Sequence, residues 1–367
     1  MATYKSIKYI IPTEAVEHTD SINALADVDT TTVAPSVGQT LKWSAANSRW
    51  QPADIEEASG LTTALGIIIG GQYDTSFYDI GSNIYITNTG VPGSDISYTD
   101  ESLYFGAAAT YGGDKGFIID DNDTPGYVLL TNLGVLGSLV SHSSLGIGYN
   151  GAGLTYGGDK CIFGWHRSNN KDWTPQKSVL ITNTGVVGSD TTLPTSSYRD
   201  ECIGTGYGGD KGIVIFGDGY SGVNSGGFAE TPTNSDGRAN LISNTGIVAS
   251  ETACSGTKRF SGAGGEYGGD KAITAYGTIS SGGSGLNTIN TISNAGVVSS
   301  DTTGVGSARE RPSYTRFGED KGIFYGGGNA YNEHQIYNLV SNTGVIATDT
   351  SVTNAARFGS VGCGYGS

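Results

Sequence analysis

The chain has 367 residues, among them 59 Gly, 9 Pro, 21 Tyr, 10 Phe and 4 Trp, and carries a formal charge of -15 from 35 acidic and 20 basic side chains. Glycine far above its usual share of about 7% without a Gly-X-Y period excludes collagen. The aromatic content supplies apolar surface that a disordered glycine-rich linker lacks. The acidic balance argues against a surface that tracks phosphates, so nucleic acid is a poor partner.

Residues 1–60 do not repeat. Segments 4–11 and 37–43 are moderately apolar, and Pro35, Gly38 and Pro52 punctuate the region as turns rather than helices. So short a segment holds no deep core by itself and is expected to pack on another chain or on the rest of the molecule. No basic stretch followed by an apolar signal core opens the chain, and no run of 18 apolar residues occurs, so nothing calls for secretion or membrane insertion.

From residue 61 the chain repeats itself. Tyr-Gly-Gly-Asp-Lys occurs at 111–115, 156–160, 207–211 and 267–271, with a fifth copy at Phe317-Gly318-Glu319-Asp320-Lys321. A strand-like run follows each copy. Later in every unit a β-branched run ends in Asn-X-Gly, with asparagines at 88, 132, 183, 244, 294 and 342, spaced by 44 to 61 residues. Short Val/Ile/Tyr runs broken by such turns read as antiparallel hairpins. A unit of this length has room for four short strands, one blade of a β-propeller. Within a unit the pattern predicts a strand before Tyr-Gly-Gly, a strand after Asp-Lys, a variable loop, a third strand, the Asn-X-Gly turn and a short strand such as Val186-Val187.

The ends of the repeat complement each other. The first unit starts at Gly66-Ile67-Ile68-Ile69, equivalent to the strand after Asp-Lys, and lacks the strand before it; 356–366 is that missing strand with its Tyr-Gly turn. An open solenoid needs polar capping units at both ends, whereas a ring closes its own sheet edges. The expectation is therefore all-β: residues 61–367 form a six-bladed propeller with one blade stitched from both ends, preceded by an attachment or oligomerisation segment at 1–60.

Variable loops fall at 120–127, 164–177, 218–238, 277–288 and 326–336, the same place in each unit, and should crowd one rim. The richest holds Trp165, His166, Arg167, Asn170 and Trp173, flat apolar faces beside hydrogen-bonding groups, as carbohydrate or protein contacts require. Tyr331 and His334 with Asn332 and Tyr337 form a second, weaker cluster; aromatics covering a blade edge are the more ordinary reading of both, and interface aromatics between copies explain the same facts equally well. Asp114, Asp159, Asp210, Asp270 and Asp320 recur once per unit, which suits a structural turn better than a catalytic group, since an active site gathers different groups on one substrate. Asp120, Asp121 and Asp123 make an oxygen-rich loop without the spacing of a calcium site. The histidines lack zinc-ligand spacing and no nucleophile elbow occurs, so no catalytic residue, metal or cofactor is assigned. Cys161, Cys202, Cys254 and Cys363 lack CxxC spacing and read as isolated thiols.

Leu25-Ala26-Asp27-Val28, then Pro35, Gly38, Leu41 and Trp43, then Trp50-Gln51-Pro52, resemble a segment of tail fibre and other appendage proteins of tailed bacteriophages. The repeat itself is similar to glycine-rich repeats in structural proteins of marine and cyanobacterial phages and, superficially, to kelch and RCC1 propeller units, without the regular Trp spacing of kelch. The resemblance implies a non-catalytic virion protein, tail fibre or tail-associated, that docks other virion proteins through 1–60, assembles as a trimer or higher homo-oligomer, and displays its propeller for protein or host-surface contact. Capsid decoration, a glycan-binding receptor module and a polysaccharide-degrading propeller are the alternative readings.

Overall fold

The computed structural model describes residues 28, 39–44, 48–54, 64–73, 78–98, 106–120, 126–142, 151–166, 176–194, 198–220, 232–280, 283–329 and 332–366. The chain divides into two compact units, Met1–Ser59 and Gly60–Ser367. In the first, Gln39–Ser44 and Arg49–Asp54 form an antiparallel hairpin that puts Trp43 opposite Trp50 and Leu41 opposite Pro52. Val28 adds a parallel bridge to Trp50.

The second unit is a six-bladed β-propeller, six four-stranded antiparallel sheets arranged in a ring. Blades 2 to 6 each use consecutive chain, beginning with the innermost strands Ala107–Tyr111, Ala152–Tyr156, Ile203–Tyr207, Ala263–Tyr267 and Ser313–Phe317. Blade 1 is stitched. Its innermost strand, Val361–Gly364, pairs with Ala64–Ile69, which pairs with Ser82–Thr87 and then Ile96–Ser97. Ile68 lies opposite Gly362, and the Gln72 N–H donates to the Phe358 carbonyl at 2.9 Å. The last strand thus pairs the edge that the first would otherwise expose.

Each Tyr-Gly-Gly-Asp-Lys copy turns the innermost strand into the second, with Tyr111 paired to Lys115 across the turn. Its two glycines serve different ends. Gly112 has φ +63°, and a Cβ there would stand 3.1 Å from the Asn183 carbonyl of the next blade; Gly113 has φ +82° and open space around it. Only the backbone conformation constrains the second glycine, and in the fifth copy Glu319 replaces it at φ 68°.

The Asn-X-Gly turns join third and outermost strands on the same rim. A hydroxyl four residues before the β-branched residue organises each of them: Thr87, Thr131, Thr182, Ser243, Ser293 and Ser341 accept the N–H of Val91, Val135, Val186, Ile247, Val297 and Val345 at 3.0 to 3.2 Å. The outermost strand differs from expectation. Val187 makes only a bridge to Ile181, and the strand proper is Thr191–Thr192, because the register slips by one residue between them, a bulge repeated in every blade.

Between blades the core is built from aromatic rings on bare glycines. Tyr365, Tyr111, Tyr156, Tyr207, Tyr267 and Phe317, the last residue before each inner turn, lie over Gly134, Gly185, Gly246, Gly296, Gly344 and Gly90 of the following blade, and Phe317 closes the circle from blade 6 to blade 1. All six rings are buried. The inner turns are also chained: the N–H of Gly366, Gly112, Gly157, Gly208 and Gly268 donates to the carbonyl of Asp114, Asp159, Asp210, Asp270 and Asp320, at 2.6 to 2.8 Å.

A Cβ at Gly90 would stand 2.6 Å from the Phe317 ring, at φ +82°. Gly90→Ala is expected to destabilise the propeller by about 2–4 kcal/mol, the sum of left-handed strain and overpacking. Gly93→Ala, where an added Cβ would meet only the Tyr85 carbonyl, at 3.4 Å, should change stability by less than about 0.5 kcal/mol. Urea unfolding of the two variants measures the difference.

Candidate functional site

The recurring aspartates are absorbed by the rim they build. Each carboxylate accepts from the neighbouring lysine ammonium, at 2.7 Å for Asp114, Asp159, Asp270 and Asp320 and 3.0 Å for Asp210. The turn asparagine of the same blade donates to the other oxygen: Asn183 to Asp159 and Asn244 to Asp210 at 2.9 Å, Asn294 to Asp270 at 3.1 Å. The lysine beside each holds the Asp159, Asp210, Asp270 and Asp320 carboxyls below their ordinary range. Their contribution to folding is in place above the usual carboxylate pKa and is lost as pH falls through the lowered folded values. Being exposed, the pairs contribute little individually. The backbone N–H groups from neighbouring blades go to the aspartate carbonyls rather than to the carboxylates.

On the opposite rim lie the loops between second and third strands and the crossovers between blades. Of the expected recognition residues here, Trp165 and His166 are buried. This corrects their reading as surface contacts. Trp165 adopts φ 54° at the end of the second strand of blade 3, and its indole N–H donates to Asn240 Oδ1 of blade 4 at 3.1 Å, so it joins two blades. His334 is half-buried in blade 6, with its backbone N–H on the Gly327 carbonyl at 2.7 Å, and burial lowers its pKa. Blades 3 and 6 face each other across the ring, so His334 is not brought to Trp165. Arg167, Asn170, Trp173 and Tyr331 lie outside the described residues, as do Asp121 and Asp123.

Trp165 belongs to a polar staple that sequence reading missed. Arg199, Arg259, Arg309 and Arg357, in the crossovers into blades 4, 5, 6 and 1, are fully buried. Arg259 stacks on Phe216 and Arg309 on Tyr276, 4.5 and 3.8 Å from the ring centroids. Each of the two reaches an asparagine on the third strand of its own blade, Asn290 at 2.7 Å and Asn338 at 2.6 Å; Arg199 reaches Asn240 in the same way. In blade 1, where Ile84 stands in the asparagine's place, Arg357 turns to Ser82 and Asp95. Burial pulls the Arg259, Arg309 and Arg357 guanidinium groups below their ordinary pKa, and a carboxylate opposes the pull in each case: Asp301, Asp349 and Asp95. Those acids stand seven residues after the turn asparagine, as does Glu251, which lies 3.4 Å from Arg199.

The inner strands enclose a narrow channel. Small residues at their second position, Ala108, Gly153, Gly204, Gly264 and Gly362, let them approach; in blade 6 Tyr314 stands there, its ring against Gly265 and Gly322 and its hydroxyl donating to the Glu266 carbonyl at 2.7 Å. Where the channel opens on the crossover rim, a cavity of about 100 Å³ is lined by Glu201, Ser261, Arg311, Ser360 and four glycines, among other residues. Unlike polar side chains from different blades converge there. Among the described residues no group of three or more His, Cys, Asp or Glu is placed to hold a metal ion.

The four thiols form no disulfide. Burial pushes Cys202 and Cys363 up to about 12, Cys254 up to about 11, and Cys161 well above the ordinary thiol value. Compared with known proteins, the chain matches no family model and no curated sequence.

Replacing Arg309 removes the cation stacked on Tyr276 and bonded to Asn338 Oδ1, and leaves Asp349 with its bonds from Ser307 and Asn338 but no cation beside it. Arg309→Met is expected to cost about 3–5 kcal/mol in urea unfolding. Thiols held neutral stabilise the fold fully below the unfolded thiol pKa of about 8.5, and that stability is lost as pH rises through the folded values. Native protein at pH 8 should therefore react with Ellman's reagent slowly and at Cys254 first, and all four thiols should react on unfolding; rapid reaction of Cys202 or Cys363 in the native state would contradict the burial.

Proposed function

We propose that the protein is a non-catalytic structural and binding component of a tailed-bacteriophage virion, a tail fibre or tail-associated appendage. Residues 1–60 attach it to other virion proteins and assemble copies into a trimer or higher oligomer, and the propeller is the rigid knob they display. The observation that carries this reading is how the ionisable groups are used. The recurring aspartates and lysines are spent within the turn rim, and the buried arginines with their acids are spent between blades. What differs from blade to blade is the crossover rim, with its unequal loops and the mixed polar mouth of the channel. A uniform scaffold carrying one variable face suits recognition by several weak copies acting together. The likeness of 22–52 to phage appendage segments supports the virion setting; capsid decoration would use the same parts. A second reading, contact with a host-surface glycan, is favoured by the polar cavity at that mouth.

Immunogold labelling of phage particles with antibodies to the full chain is expected to mark the tail. Labelling of the capsid would reassign the protein to decoration, and unlabelled particles would overturn the virion reading. Incubated with host surface polysaccharides, the full chain should release no reducing ends over hours; steady release would make it an enzyme.

A further inference from the structure

Each innermost strand has one edge toward the axis, where its backbone groups find no partner strand. The fourth residue of these strands is Gly364, Thr110, Thr155, Gly206, Glu266 and Arg316 in blades 1 to 6. Hydroxyl groups satisfy five of the six carbonyls. Thr110 donates to Gly364 at 3.0 Å and Thr155 to Thr110 at 2.8 Å, each from the following blade. Tyr314 donates to the Glu266 carbonyl at 2.7 Å, and Thr205 and Thr315 donate to Gly206 and Arg316 at 3.0 and 3.4 Å. Among the described residues no hydroxyl reaches the sixth, the Thr155 carbonyl, because blade 4 holds Gly206 where blades 2 and 3 hold threonine.

A carboxyl group occupies the vacated place. A Cβ at Gly206 would stand 2.1 Å from Glu266 Oε1 and 2.7 Å from its Cδ. The Glu266 side chain therefore fills the space from which a threonine at 206 would donate to Thr155, and it crosses blade 4 to do so. Around it the turn-side end of the channel widens to a cavity of about 80 Å³. Besides Glu266, the ionisable groups on that wall are Arg316, Tyr314 and Cys363. Burial raises the Tyr314 phenol and pushes the Cys363 thiol up to about 12, so both stay neutral. Arg316 lies along Gly364 of blade 1 and donates to the Gly113 carbonyl of blade 2 at 3.0 Å.

A carboxylate and a carbonyl both only accept, so they bond each other only through a proton or a cation between them. A metal ion at this place would have a single carboxylate and would share its cavity with Arg316. A proton needs no further ligand, and a protonated carboxyl donates as the threonines of blades 2 and 3 do. We propose that Glu266 serves the ring as a neutral carboxylic acid, donating its O–H to the Thr155 carbonyl across blade 4, and that rising pH removes the proton and loosens this contact. Burial raises the Glu266 carboxyl above its ordinary pKa, with Arg316 pulling the other way. A carboxyl so raised stabilises the fold fully below the unfolded value of about 4.3, and that contribution is lost as pH rises through the folded pKa. The rim aspartates, lowered by their lysines, act in the opposite sense.

Thermal melting of the full chain and of its Glu266→Gln variant between pH 4 and pH 8 tests it. The glutamine amide donates to the same carbonyl at every pH, and the rim aspartates contribute equally to both proteins. Their Tm values should agree within about 1 °C at pH 4, and Glu266→Gln should melt higher by at least about 2 °C at pH 8. Infrared titration should show a protonated-carboxyl C=O band that the variant lacks, with its midpoint above about 4.3. Gly206→Thr should lower Tm, since its Cβ would overlap Glu266 Oε1, and adding Glu266→Gly should restore it by returning a threonine to the place. Parallel Tm profiles, a midpoint at or below the ordinary value, or a Gly206→Thr variant as stable as the unchanged chain would overturn the proposal. A rise in Tm with sodium, potassium or calcium at pH 8 that Glu266→Gln does not share would overturn it too, by making the place a cation site.

Discussion

A four-stranded sheet whose strands run two to six residues cannot bury its two faces by itself, and the ring exists because each blade lends its neighbour an aromatic lid. The lid is the tyrosine or phenylalanine before the inner turn, and the seat is the glycine of the next blade's Asn-X-Gly turn. No side chain larger than hydrogen fits under the ring, and positive φ at the same glycine is what the turn demands. Both needs meet in one residue, so the two sequence signatures of the repeat are halves of one contact made between different blades. Burying an aromatic side chain contributes on the order of 2 kcal/mol, and the contact occurs at all six junctions. Because the sixth runs from Phe317 to Gly90, stability is shared around a closed loop rather than ending at a cap.

A second layer of contacts is less regular. Buried arginines span the junctions into blades 4, 5, 6 and 1, each offset by stacking, by an amide or hydroxyl acceptor, or by a carboxylate. Burial of a guanidinium is costly unless all of this is supplied together, which makes these junctions specific more than strong. The crossovers into blades 2 and 3 contain no arginine, and the acid position after the turn changes with them: it is Leu139 in blade 2, and in blade 3 Asp190 pairs with Lys177 at 3.2 Å. Where the arginine is missing, the acid is either absent, as in blade 2, or held by another cation, as in blade 3.

The two rims divide the work. Turns of fixed composition make one rim nearly the same in every blade, and its charges are paired inside each blade. The other rim collects whatever the repeat leaves free: unequal loops, crossovers, and the mouth where Glu201 and Arg311 meet across Ser261. Trp165 illustrates how the division misleads a reader of residues. It sits in the segment richest in binding-type side chains, yet its left-handed backbone turns the indole inward to Asn240.

Blade number, the stitched first blade and the place of the repeated aspartates in the inner turns were legible in the chain itself. Spacing and turn chemistry are local properties, and complementary half-units at the two ends leave few ways to avoid a closed ring. The bulge before each outermost strand was not legible, since a one-residue slip leaves no mark in a two-residue strand. Nor were the arginine staples or the polar mouth. Arg309 and Asn338, or Glu201 and Arg311, are separated along the chain by whole strands or whole blades, and their contacts depend on the angle at which one sheet meets the next. Local rules of hydrogen bonding and backbone conformation wrote the blades into the sequence; only ring closure, a long-range geometric condition, decided which side chains face each other between them.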